Sequence, residues 1–135
     1  MDGTLFFNTS GRPFYGDALE PTDILKDEPV SAVITLVKAY QETGKAVIGL
    51  SGREDTPKIR ACTIKQCENV GIYLKELFLR PVGSTTRGDI CKREIFNQFI
   101  RDKYYVDVVL DDSSKVVKMW RELGLVCLQP NEGKF

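Results

Sequence analysis

Apolar residues recur at helical spacing from about Pro29 to Thr43, where Val30, Val33, Ile34, Val37 and Tyr40 share one stripe. Asp27 is placed to cap this helix, Pro29 suits its first turn and Gly44 stops it. Ala46 to Leu50 then reads as a buried strand ending at Ser51-Gly52-Arg53. A second helix is expected from Thr56-Pro57 to about Val70-Gly71, followed by a short strand at Leu77-Phe78-Leu79 that Pro81 and Gly83 break. Gly88 to Ile100 reads as helix and Val106 to Leu110 as an apolar strand ending in Asp111-Asp112. Ser113 caps the next helix, whose Val116, Val117, Trp120 and Leu123 form one face before Gly124 ends it, and Leu125 to Leu128 is the last strand. Strands thus alternate with crossover helices, which is the signature of an α/β fold with a mainly parallel sheet. Glu20 to Glu28 reads as an acidic surface connection.

Polar clusters sit directly after strands, and open α/β sheets bind ligands at the carboxyl ends of their strands. The clusters are Asp2-Gly3-Thr4, Ser51-Gly52-Arg53, Arg87 with Lys92, and Asp111-Asp112. Adjacent carboxylates repel unless a cation offsets them, and oxygen ligands of this kind favour Mg²⁺, which takes one or two carboxylates and keeps several waters. The Ser51 hydroxyl with Arg53, Arg87 and Lys92 offers donors for phosphate oxygens. Carboxylates, a magnesium ion and phosphate donors together point to phosphoryl transfer. Taken singly, DGT is a turn, SGR a helix lead-in, Asp-Asp before Ser a cap and the basic run a solvated helix face; their shared placement after strands carries the argument.

Composition narrows the chemistry further. The 135 residues suit a single domain, 1–135, with 42% hydrophobic and 28% charged residues. No run approaches the roughly 20 apolar residues of a membrane span, and the start shows no secretory signal pattern. Lys+Arg and Asp+Glu balance at 19 each, which argues against holding long nucleic acid by bulk charge and leaves a local basic site open. Histidine is absent, which removes Ser–His–Asp and Cys–His catalysis and His-ligated zinc. The four cysteines form no CxxC pair; Cys62, Cys67 and Cys127 fall on core-like segments, so buried reduced thiols and a reducing, cytoplasmic setting are expected.

The order of these motifs resembles the haloacid dehalogenase superfamily, whose first motif is hhhDxDGT. Within it the chain looks most like the 3′-phosphatase part of phage-type polynucleotide kinases. The matching stretches are DGTL, GRPFY with Arg12, VIGLSGRED, RPVGSTTRGDICKREIF, LDDSSKVVKMWRELGLVCLQ and EGKF, in order along nearly the whole chain. The resemblance implies a Rossmann-like three-layer sandwich without a large cap, Mg²⁺ as cofactor and an aspartyl-phosphate intermediate. Asp2 maps to the general acid and base, and its backbone carbonyl joins Asp111 and Asp112 at the metal. Ser51 maps to the second-motif phosphate donor and Arg87, with Lys92 as the fallback, to the third-motif cation. Thr4, Arg12, Gly52 and Arg53 inherit substrate-binding roles. Two departures stand out: Thr86-Arg87-Gly88 replaces the family's Arg-Lys-Asp, and Ser84 stands where Asp is common. An arginine fork is not a lysine's point charge.

If Met1 is the x of DxDGT, the nucleophile and the central strand of the sheet would precede Met1. The expectation is then a late-called start or a truncation, and an enzyme inactive as written. A split or degenerate protein, or Asp2 as nucleophile with Thr4 at the plus-two position, are the other readings. The expectation is a phosphoric monoester hydrolase removing the 3′-phosphate of a DNA or RNA end. The short intervals from Asp2 to Ser51 and from Arg53 to Arg87 leave no room for a large cap, which suits a macromolecular end. No GxxxxGKS/T occurs, so a 5′-kinase would be a separate or fused partner. A small-molecule or nucleotide phosphatase, and a non-catalytic module binding phosphorylated ends, are the alternatives.

Overall fold

The computed structural model describes residues 1–133, so Lys134 and Phe135 of the EGKF stretch lie outside the described residues. The chain divides into two compact units, Met1–Ser84 and Thr85–Phe135. Among the described residues it is a mixed α/β protein with three two-stranded sheets, two of them parallel, and no closed barrel.

In the first unit, β1 (Phe6–Phe7) pairs antiparallel with β2 (Glu28–Pro29). Helix α1 (Ser31–Glu42) buries Val33, Ile34 and Val37, the centre of the expected stripe. Strand β3 (Val47–Glu54) runs parallel to β4 (Leu74–Arg80), with Leu50 opposite Phe78 and an irregularity between Ser51 and Glu54. Both strands are longer than the apolar runs that announced them, because pairing also joins Val47 with Leu74 and Ile48 with Glu76 at one end and Glu54 with Arg80 at the other. Gly49 lets β4 lie close: a Cβ there would meet a Leu77 methyl at 2.9 Å. Helix α2 (Pro57–Glu68) joins the two strands, and the Thr56 hydroxyl caps it by accepting from the Ile59 N–H at 3.2 Å.

Two expectations fail in this unit. Glu20 to Glu28 is not a mere surface connection: residues Pro21–Lys26 form a 3-10 helix whose Ile24 is fully buried with Leu19, Ile59, Leu77 and Leu79. Burying such a side chain is worth about 1.5–3 kcal/mol. Nor does Asp27 cap α1, whose N-cap is Val30 with no side-chain bond. The Asp27 carboxylate is instead drawn inward by buried arginines.

In the second unit, helix α3 (Gly88–Ile95) continues into a wider π-type turn over Phe96–Ile100, closed by Arg101 N–H to Phe96 O at 2.8 Å. Strand β5 (Val109–Leu110) pairs parallel with β6 (Cys127–Leu128), both shorter than the apolar runs around them. Helix α4 (Ser114–Glu122) lies between them in sequence and buries Val116, Val117, Met119 and Trp120. The Trp120 ring meets Phe96 edge-on, with centroids 5.5 Å apart. Ser113 stands at the N-cap position of α4 without making the side-chain bond.

Helices α1, α2 and α4 end alike. Gly44, Gly71 and Gly124 take φ of +87°, +80° and +83°. In each case the glycine N–H and the next N–H turn back onto the last helical carbonyls, as Gly44 does to Gln41 and Lys45 to Tyr40. This double bond pattern needs a left-handed residue, which glycine adopts without a Cβ clash. No helix among the described residues is long and apolar enough to cross a membrane.

Candidate active site

In the first unit the DGT turn folds tightly, with the Thr4, Leu5 and Phe6 N–H groups all reaching the Met1 carbonyl. Asp2 is thereby aimed at two arginines. Its Oδ1 accepts from Arg12 Nη2 and Arg53 Nη2, both at 2.8 Å, and its Oδ2 accepts from Arg53 Nε at 3.2 Å. Asp27 stands behind them. Its Oδ1 takes the Arg12 Nε–H at 2.9 Å and its Oδ2 takes Arg12 Nη2, while Arg53 Nη2 lies 3.7 Å away. Helix α2 completes the frame. Thr63 and Gln66 accept from Arg53 Nη1 at 3.0 and 2.9 Å, and Gln66 Nε2 ties back to the Ile24 carbonyl at 2.8 Å.

Two cations and two carboxylates thus form a neutral, buried set. The side chains of Arg53 and Asp27 are 0% exposed and Arg12 2%, whereas Asp2 is 21% exposed, so Asp2 is the member that reaches solvent. Burial pushes the Asp2 carboxyl up, but the hydrogen bonds and charge of Arg53, then the charges of the N-terminal amine and Arg12, outweigh it and hold the pKa down at about 2. Arg12 is pulled down by burial yet raised on balance by Asp27 and Asp2. Arg12 and Arg53, to which the resemblance gives substrate-binding roles, both place their guanidinium groups on carboxylates and so orient Asp2.

Ser51 is buried in β3, and its hydroxyl accepts the Arg53 N–H at 3.3 Å. Thr4 is also buried. Gly52 is exposed, and its carbonyl accepts from Arg80 Nε at 3.2 Å. Asp27, Thr63 and Gln66 are the members that sequence reasoning missed. Only the apolar Ile24 inside the acidic stretch hinted that this segment turns inward.

In the second unit Asp111 follows β5 and is met by Lys92 from α3, whose Nζ lies 2.8 Å from Oδ2. The Trp120 indole N–H points at the same oxygen from 3.4 Å, and the Ser113 N–H reaches Oδ1 at 3.3 Å. Burial raises the Asp111 carboxyl, but Lys92 more than reverses this and holds it below the usual range. Arg87, the first choice for the third-motif cation, lies elsewhere on α3. It starts α3 at the surface, with its guanidinium on Asp89 at 2.6 and 3.0 Å. The physical reason is spacing: Lys92 lies one turn inside α3, on the face that carries buried Cys91 and Ile95.

Asp112 is buried beside Asp111, and its backbone carbonyl accepts from Gly133 N–H at 2.7 Å and Gln129 Nε2 at 2.9 Å. Among the described residues no group of three or more His, Cys, Asp or Glu side chains stands ready for a metal. Mg²⁺ does not require one, because it is held through one or two carboxylates and its own waters. The hard oxygen pair Asp111-Asp112, with Lys92 already offsetting one charge, fits that ion and not a soft metal.

The family model described as the polynucleotide kinase PNKP phosphatase domain matches residues 1–135. A protein of Autographa californica nuclear polyhedrosis virus, named as a bifunctional polynucleotide kinase/RNA ligase, is 34% identical over 129 residues. That match covers 93% of this chain and 17% of the viral protein. A solved structure of a Pnkp1/Rnl/Hen1 complex contains a chain 34% identical, with a TM-score of 0.87, covering 100% of this chain and 45% of that one. A structure of the Pnkp1/Rnl/Hen1 RNA repair complex gives 33% identity and a TM-score of 0.88, covering 100% and 42%. The chain therefore spans less than half the length of these relatives. Motif order, fold and full-length family match converge: the chain belongs to the polynucleotide kinase PNKP phosphatase domain family.

Proposed function

We propose that the chain is the phosphatase part of an end-repair system that removes the 3′-phosphate from a polynucleotide end and also holds a 5′-kinase. The observation that carries this reading is the family match along the whole chain. An RNA end is the first substrate to test, because the relatives are named for RNA ligation and RNA repair.

In this reading Asp2 is the acid toward the leaving oxygen and then the base toward water. Its low pKa makes it ready as a base at neutral pH. As an acid it must first take up a proton against the pull of Arg12 and Arg53, and the negative charge of an incoming phosphate favours that uptake. Ser51 donates to a phosphate oxygen, and Lys92 supplies the third-motif cation. Asp111 and Asp112 would hold Mg²⁺, which supplies charge neutralisation for the phosphoryl group. The aspartyl-phosphate forms on the aspartate that the family places two residues ahead of Asp2.

The test measures phosphate release from a 3′-phosphorylated oligonucleotide, with Mg²⁺ and with a chelator, in a form carrying that aspartate ahead of Met1. Release that depends on Mg²⁺ and exceeds release from a 3′-mononucleotide is expected. A preference for the mononucleotide overturns the polynucleotide reading. Background turnover with retained binding of phosphorylated ends favours a non-catalytic module.

A further inference from the structure

We propose that Phe14 and Tyr15 form a stacking platform for the terminal nucleoside of the substrate strand. This deepens the reading above and rests on it. The segment GRPFYG turns at Gly11 and Gly16, with φ of +76° and +87°, and presents its two aromatic side chains outward. Phe14 is 50% exposed and Tyr15 73%, so neither ring contributes much to a core.

The segment is fastened to the Asp2 frame. Arg12 donates from Nη1 to the Pro13 carbonyl at 3.0 Å, and Asn8 Nδ2 holds the Arg12 carbonyl at 2.6 Å. The Arg12 guanidinium carbon lies 5.5 Å from the Phe14 ring centroid, within cation–π range. The same guanidinium bonds Asp2 Oδ1. One arginine therefore touches both the acid and the aromatic ring.

The position of the acid says what belongs beside it. An acid protonates the leaving oxygen, and the leaving group of a 3′-phosphatase is the nucleoside. The nucleoside must therefore approach Asp2 from outside, where solvent now reaches its carboxylate, while the phosphate faces the nucleophile. Exposed rings anchored through Arg12 beside that carboxylate are placed to stack on the departing base. Every base has a π-face, so such a platform is tolerant of sequence, as repair of arbitrary ends requires. It also distinguishes a nucleic-acid end from a small phosphate ester.

The experiment uses the chain itself, with chelator present so that binding alone is read. Fluorescence anisotropy compares three labelled oligonucleotides: one ending in a 3′-phosphate, the same strand ending in a 3′-hydroxyl, and the phosphorylated strand whose last nucleotide lacks its base. The expected result is binding of the base-bearing phosphorylated end at least about fivefold tighter than the baseless one. Phe14→Leu/Tyr15→Leu should bring the two together while leaving the circular dichroism spectrum unchanged. Equal binding of both phosphorylated ends by the unaltered chain, or a base preference that survives in the double variant, overturns the platform and leaves the phosphatase reading standing. Equal binding of 3′-phosphate and 3′-hydroxyl ends defeats that reading, and the platform with it.

Discussion

Replacing Asp27 by Asn changes one oxygen for an amide nitrogen at a side chain with no exposure to solvent. The carboxylate accepts both Arg12 Nε and Nη2. An amide can accept from only one of these and turns a donor toward the other. The buried set Arg12, Arg53, Asp2 and Asp27 also passes from neutral to a net charge of one, two cations against one anion. Removing one partner of a buried ion pair costs about 3–5 kcal/mol, against a total stability of about 5–15 kcal/mol. With a urea slope of about 2 kcal/mol per molar, the unfolding midpoint should fall by about 2 M. Adding Arg12→Met restores neutrality, so the double variant is expected to be no less stable than Asp27→Asn alone, with a coupling of about 1.5 kcal/mol or more. The assay is urea unfolding followed by circular dichroism for the four proteins of the cycle. A loss below about 1 kcal/mol for Asp27→Asn, or strict additivity, would refute the claim that this carboxylate is desolvated and fully engaged.

The same frame sets an acid limit. The Asp2 carboxyl falls from 3.8 to about 2 on folding, so it contributes about 2 kcal/mol that is present above pH 4 and lost as pH falls toward 2. Urea midpoints of the unaltered chain and Asp2→Asn should converge across that window; a gap that stays constant from pH 5 to 2 contradicts the pairing. Asp2→Asn also costs stability at pH 7, so any loss of activity in it must be read beside its unfolding curve. Lys92→Met should cost about 3 kcal/mol, because it strands a buried Asp111 carboxylate, and should weaken at higher pH as that carboxyl ionises. Arg87→Ala should lower the urea midpoint only slightly, since the Arg87 side chain is itself exposed and an exposed partner adds about 1 kcal/mol at most. Alkylation at pH 8 followed by mass spectrometry should label Cys62 first, since it is only partly buried and the other three thiols are buried. Burial pushes the Cys67 thiol up to about 11, leaving almost no thiolate to react. Rapid labelling of Cys67 in folded protein would show that its packing is wrong.

Much of the fold could be read from local rules because local physics decides it. Gly44, Gly71 and Gly124 each close a helix, as their positions after apolar stripes announced, and Thr56-Pro57 opens one. Asp111-Asp112 after an apolar run marked a strand end correctly. Element lengths were less legible, since hydrogen bonding extends β3 and β4 beyond their apolar cores and leaves β5 and β6 at two residues each. The functional frame was hardest to see. Asp27 looked like a helix cap because Pro29 and the stripe follow it, yet its charge is claimed by Arg12, 15 residues away, with Gln66, 39 residues away, beside it. Asp2 and Arg53 meet across 51 residues. The sequence put Arg87 ahead of Lys92 as third-motif cation; only the structure shows that Lys92 lies 2.8 Å from Asp111 while Arg87 pairs with Asp89. Residue type and spacing determined which chemistry was available, whereas burial decided which charges must pair, because an ion removed from water takes whatever partner the fold brings within reach.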